Sequence, residues 1–180
     1  MITNESIKST FDECLALAIS KLPLSSWKQQ PTGISFTTHK VKYGLVTAKG
    51  EILINPSFIG TLAYTKLKET IFHELAHLIV GKDKNHSAPF KRALSYISND
   101  LVVPAEEQSM VKENNGYKYR LLGYTTNNIY NLEGAFKRTK KYLNYDPQGK
   151  RTMSIKGERF MRFEYVPYED EMPKGTISYP

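Results

Sequence analysis

Residues 65–80 read TKLKETIFHELAHLIV, and at their centre stands His73-Glu74-Leu75-Ala76-His77. Leu67, Ile71, Phe72, Leu75, Leu78 and Ile79 recur at helical spacing, so the stretch predicts a helix with a buried face. Thr65 is placed to open that helix and Gly81 to close it. Residues four apart on a helix lie one above the other on a single face. His73 and His77 therefore offer two imidazoles to one metal ion, with the Glu74 carboxylate beside the first. Two histidines and a neighbouring glutamate at this spacing form the core of a zinc-dependent peptidase site.

A catalytic zinc takes three protein ligands and keeps the fourth position for water. His86 follows His77 by nine residues and lies just past Gly81, where a chain that turns back can reach the metal. Asp83 competes by position, and Glu106 or Glu107 on a later helix could supply a carboxylate instead. A metzincin would carry glycine three residues after His77; Val80 stands there, so that pattern fails. In this chemistry Glu74 stays off the metal, takes a proton from the bound water and passes it to the leaving amine. His39 is expected to be an ordinary surface or core residue, and Cys14 a small buried hydrophobe.

Outward from this centre, residues 4–21 predict an amphipathic helix capped by Thr3 or Asn4, with Pro23 just beyond its end. Residues 33–55 read as strands: 33–37, then 41–46, then 51–54 after a Lys49-Gly50 turn. Asn55-Pro56 ends the last of them. A helix is expected from Ser87 to residue 98, with Pro89 tolerated in its first turn. A short helix fits 106–112.

The character changes from residue 117. A strand is expected over 117–124, a turn at Asn127-Asn128, and a helix over 132–143 with Leu132, Ala135, Phe136, Thr139 and Leu143 on one side. Asp146-Pro147-Gln148-Gly149 is a turn signal, followed by strands at 153–155 and 160–165. The acidic tail after Tyr168 is expected to be mobile.

The 180 residues suffice for one compact domain plus an appendage. There is no apolar run of about 18 residues, which argues against a membrane partner, and the N-terminus lacks the order of a signal peptide. One cysteine excludes an internal disulfide and a zinc ribbon built on CxxC pairs. A cytoplasmic setting is the expectation, whether nucleoid or viral-host cytosol.

Of a net charge of +7, the excess sits in residues 117–163, with eleven Lys and Arg against three acids. Nine of the twelve tyrosines also lie from Tyr117 onward. Lys137, Arg138, Lys140 and Lys141 are expected on one side of the 132–143 helix. Lys150, Arg151, Lys156, Arg159 and Arg162 are expected on the strands that follow. Such a segment suits a nucleic-acid backbone, with binding carried by phosphate and weakened by salt.

Three pieces of the first hundred residues resemble the SprT/Spartan family of zinc metallopeptidases. They are Glu51-Ile52-Leu53-Ile54-Asn55-Pro56, His73-Glu74-Leu75-Ala76-His77, and Asn85-His86-Ser87-Ala88-Pro89-Phe90. In the last, His86 and Phe90 match the family's G-H-G-x-x-[WF] element, while both of its glycines are replaced. The resemblance implies His86 as third zinc ligand, a role on proteins attached to DNA, and an α+β fold. That fold is a small zincin-type metallopeptidase domain, helices packed on a short sheet with antiparallel pairing, here over residues 1–112. A basic α/β C-terminal extension would follow over 113–168, with an acidic tail over 169–180. The alternative function is a nucleic-acid-binding protein whose zinc site is structural or vestigial.

Overall fold

The computed structural model describes residues 1–84 and 86–178. The chain divides into two compact units, Met1–Asn115 and a second beginning at Gly116.

In the first unit α1 (Asn4–Lys21) opens on a reciprocal cap. Ser6 N–H donates to Thr3 Oγ1 at 3.2 Å, and Thr3 N–H donates to Ser6 Oγ at 2.7 Å. Three strands follow, β1 (Gly33–Phe36), β2 (Gly44–Val46) and β3 (Glu51–Ile54), in the sheet order β1-β3-β2. β1 pairs parallel and β2 antiparallel with β3, which leaves β2 at an edge.

The sequence-defining helix is α2 (Tyr64–Val80), packed against α1, α3 (Ala88–Ser98), α4 (Ala105–Glu113), β2 and β3. Its apolar face joins Ile52, Ile54, Phe58 and Ile97 in the core, and Leu67, Ile71, Leu75 and Leu78 are fully buried. Thr65 does not open it. The helix starts one residue earlier after Ala63, which supplies no side-chain cap. The Glu107 carboxylate reaches across from α4 and accepts from Lys66 N–H at 2.8 Å, satisfying a free donor of the first turn. Gly81 ends the helix at φ 92°, with its N–H bonded to His77 O at 2.9 Å. That left-handed conformation is open to glycine at no steric cost and turns the chain back. α3 starts after Ser87 with Pro89 in its first turn and ends on Asn99 in the left-handed region.

The second unit is a four-stranded sheet in the order β8-β4-β5-β9, with a two-residue hairpin of β6 (Ser154–Ile155) and β7 (Glu158–Arg159). β4 (Tyr119–Tyr124) lies between β5 (Ile129–Ala135) and β8 (Arg162–Pro167), antiparallel to both. The helix expected over 132–143 is not formed. Its first third belongs to strand β5, and only α5 (Lys140–Leu143) is helical. Gly134 and Asn131 are poor helix formers, and Ile129 and Tyr130 favour a ladder with β4. The tail expected to be mobile contributes β9 (Thr176–Ser178), parallel to β5. Tyr130, Ile155 and Phe160 form this unit's core with Leu132, Tyr145, Met153 and Phe163.

Candidate metal centre

α2 sets His73 and His77 on one face, and the turn at Gly81 brings His86 back to them. One ring nitrogen from each of the three lies within 4.8 Å of the other two. The Nε2 atoms of His73 and His86 are 3.0 Å apart. A tetrahedral ion with metal–nitrogen bonds of about 2.0–2.1 Å needs ligand nitrogens roughly 3.3 Å apart, within the span of this cluster. Burial holds His73 below its ordinary pKa, helped by His86. His77 is pushed down to about 4 by burial, then by His73 and His86. Neutral imidazole is the form that binds a metal. Nδ1 of His77 is buried without a hydrogen-bond partner among the described residues, so one nitrogen of that ring is still to be satisfied. The donor set fits a divalent metal.

Phe90, on the first turn of α3 and 2% exposed, is the floor of the cluster. Its ring centroid lies 4.9, 4.5 and 5.0 Å from those of His73, His77 and His86. The Phe packs against all three rings, in addition to the His73–His86 contact.

Glu74 is 5% exposed. Burial raises its carboxyl to about 7, against the pull of Lys42 and Lys82. A group with that value can both accept and return a proton near neutral pH. β2 lies over it, close enough that a Cβ added at Gly44 would sit 2.9 Å from Glu74 Oε1. Helix and edge strand together bound a cavity of about 600 Å³ lined by residues 41–46 and by Lys66, Glu69, Thr70, His73, Glu74, His77, Lys82 and His86.

The rival ligands are elsewhere. Asp83 is ion-paired to Lys84 at 3.1 Å, and Glu107 caps α2. Glu106 is exposed on α4 and is not part of the cluster. Asn85 lies outside the described residues.

His39 is exposed, in keeping with a surface residue, and it also shapes the rim. Its Nδ1 accepts N–H bonds from Val41 at 3.2 Å and Lys42 at 3.1 Å. Buried Asn55 donates to the carbonyls of His39 and Lys42 at 3.0 and 3.1 Å. Sequence reasoning missed this rim and Gly44, because segment 41–46 carries no motif beyond alternation.

In the second unit Lys137, Arg138, Lys140, Lys141, Lys150, Arg151 and Arg159 are all exposed. They do not share a helix face. Lys137 and Arg138 precede α5, Lys140 and Lys141 are within it, and Arg159 is on β7. Among the described residues several tyrosines are turned inward or serve as shelves. Tyr130 and Tyr165 are buried, while Arg138 stacks on Tyr119 at 4.8 Å and Arg162 on Tyr124 at 3.5 Å.

No family model matches the chain, and no curated protein matches it. Among solved structures it is similar to the metallopeptidase zymogen of Pyrococcus abyssi abylysin, at 18% identity and a TM-score of 0.37. That likeness covers 59% of this chain and 89% of the other. Among the described residues no helix is long and apolar enough to cross a membrane.

Proposed function

We propose that the first unit is a zinc-dependent endopeptidase of the SprT/Spartan type. The observation that carries this is a buried glutamate adjoining three converging imidazoles at the base of an open cleft. Zinc held by His73, His77 and His86 would supply an acidified water and polarise the scissile carbonyl. Glu74 would serve as the base that takes a proton from such a water and returns it to the leaving nitrogen. Phe90 keeps the imidazoles in register, and edge strand β2 borders the space an extended substrate would occupy. A structural site would have no use for a buried carboxylate poised near neutrality.

The exposed cations of the second unit support proteins bound to DNA as substrates, with DNA held through its phosphates. The same cations favour a second reading, a nucleic-acid binder with a structural zinc. Metal analysis and proteolysis separate the two. Glu74→Gln should keep about one zinc per chain and lose at least about 10²-fold in turnover of casein or of a DNA-bound protein. Full hydrolysis by Glu74→Gln refutes the mechanism; zinc retention with no hydrolysis by the wild type leaves the structural reading.

A further inference from the structure

Three lysines and two glutamates line the cleft. Lys66 is committed to Glu69 at 2.8 Å and lies over the Tyr43 ring. Lys42 and Lys82 form no salt bridge among the described residues. Both line the same cleft as His73, Glu74, His77 and His86, so they border the candidate site.

Both are exposed, and each is tied to the cleft rim in its own way. The backbone of Lys42 is tied on both sides, by His39 Nδ1 and by Asn55 Nδ2. The Lys82 ammonium donates to the Val46 carbonyl, which anchors it across the cleft on the edge of β2. An ammonium has three donors, so two remain for a ligand. A cation held in advance, as that of Lys82 is, loses little freedom when an anion arrives. A bound divalent ion adds to the same positive field.

We infer that Lys42 and Lys82 make the cleft selective for a polypeptide carrying an Asp or Glu side chain beside the bond to be cut. This rests on the peptidase reading above. A carboxylate there meets two unneutralised ammonium groups, while a basic residue is repelled.

The test uses fluorogenic peptides with Asp, Asn or Lys walked through the positions flanking the cleaved bond, on the full-length zinc-loaded protein. The same peptides, fluorescein-labelled, are titrated into Glu74→Gln by anisotropy. Asp should exceed Asn by about fivefold in kcat/KM and in affinity, with Lys below Asn. Raising salt should shrink the ratio, and in K42Q/K82Q it should fall towards one. K42Q alone, at an exposed position, should take part of it and guards against misfolding of the double variant. An Asp to Asn ratio of one or less in the wild type overturns the inference, as does a ratio unchanged by both substitutions. Lysine-dependent binding of an oligo-dT, with none of the Asp peptides, overturns it in favour of a nucleic-acid site. If the wild type cuts no peptide, the peptidase reading fails and the binding ratio alone decides the selectivity.

Discussion

Gly44→Ala should disable the site without touching a ligand. Gly44 has ordinary backbone geometry, so the effect is one of space alone. The new Cβ would stand 2.8 Å from Thr70 Cγ2, 2.9 Å from Glu74 Oε1 and 3.0 Å from Glu74 Cγ. Ordinary carbon contacts begin near 3.5 Å, so about 0.5–1 Å must be relieved. Thr70 cannot yield easily. It is buried, β-branched and bonded through Oγ1 to Lys66 O at 2.9 Å. The Glu74 carboxylate is the freer of the two and moves. Misplacing a catalytic group by about 1 Å costs roughly 10²-fold in rate, and overpacking costs about 1–3 kcal/mol of stability. The expected result is kcat down about 10²-fold with zinc content unchanged and a modest fall in Tm. Thr70→Ser removes the Cγ2 that blocks retreat on the other side, so Gly44→Ala/Thr70→Ser should recover part of the loss as a non-additive pair. Atomic absorption and steady-state kinetics on the four proteins decide it. Full activity in Gly44→Ala, or activity lost only in step with zinc, would refute the reasoning.

Phe90→Ala removes the floor beneath three imidazoles and should weaken zinc retention against a chelator by about 10–100-fold, the usual loss when ligand support is removed; unchanged chelator competition would show that the rings need no such support. Cys14 is 2% exposed and its thiol is pushed up to about 12, chiefly by burial, so a thiol reagent at pH 8 should react only as fast as the protein opens. Immediate stoichiometric labelling of the native protein would contradict that burial. Glu164 is held below its ordinary 4.5 by the Arg162 guanidinium and then the Tyr124 hydroxyl. A carboxyl depressed in the folded state contributes stability that is present above the unfolded value and lost as pH falls through the folded one. Glu164→Gln should therefore flatten the acid limb of a stability–pH curve below about pH 4.5, and an unchanged limb would remove Glu164 from it.

The three imidazoles were legible, two from a local rule and His86 also from the family resemblance. A spacing of four sets two of them on one face, and a glycine past the last turn returns the chain for the third. Phe90 came with the motif that contains His86. The rest of the site depends on pairings no local rule carries. Gly44 meets Glu74 from thirty residues away, and β2 can do so because it is paired to β3 and stands at the sheet edge. His39 gave no sign of its two backbone acceptor bonds, since a turn closed by an imidazole nitrogen has no distinctive sequence. Asn55 was visible only as a strand terminator, although its side chain fastens the rim that presents Lys42.

The failure at 132–143 has a different cause. Leu132, Ala135, Phe136, Thr139 and Leu143 satisfy helical spacing, yet a strand was concealed by a bulge. Leu121 pairs with Glu133 and Leu122 with Asn131, so Leu132 is an extra residue between them. An extra residue shifts every later side chain to the other face and breaks the alternation that would have announced β5. Charge in this unit was readable from composition, but the work of its aromatics was not. A tyrosine that stacks under an arginine, as Tyr124 does under Arg162, looks in sequence like one offered to a base. In the structure its ring is taken by a guanidinium that also pairs with Glu164 at 2.8 Å, which leaves exposed charge more than stacking as what this unit offers. A nucleic acid bound there would be gripped by its phosphates, and the affinity should fall steeply with salt while varying little with sequence.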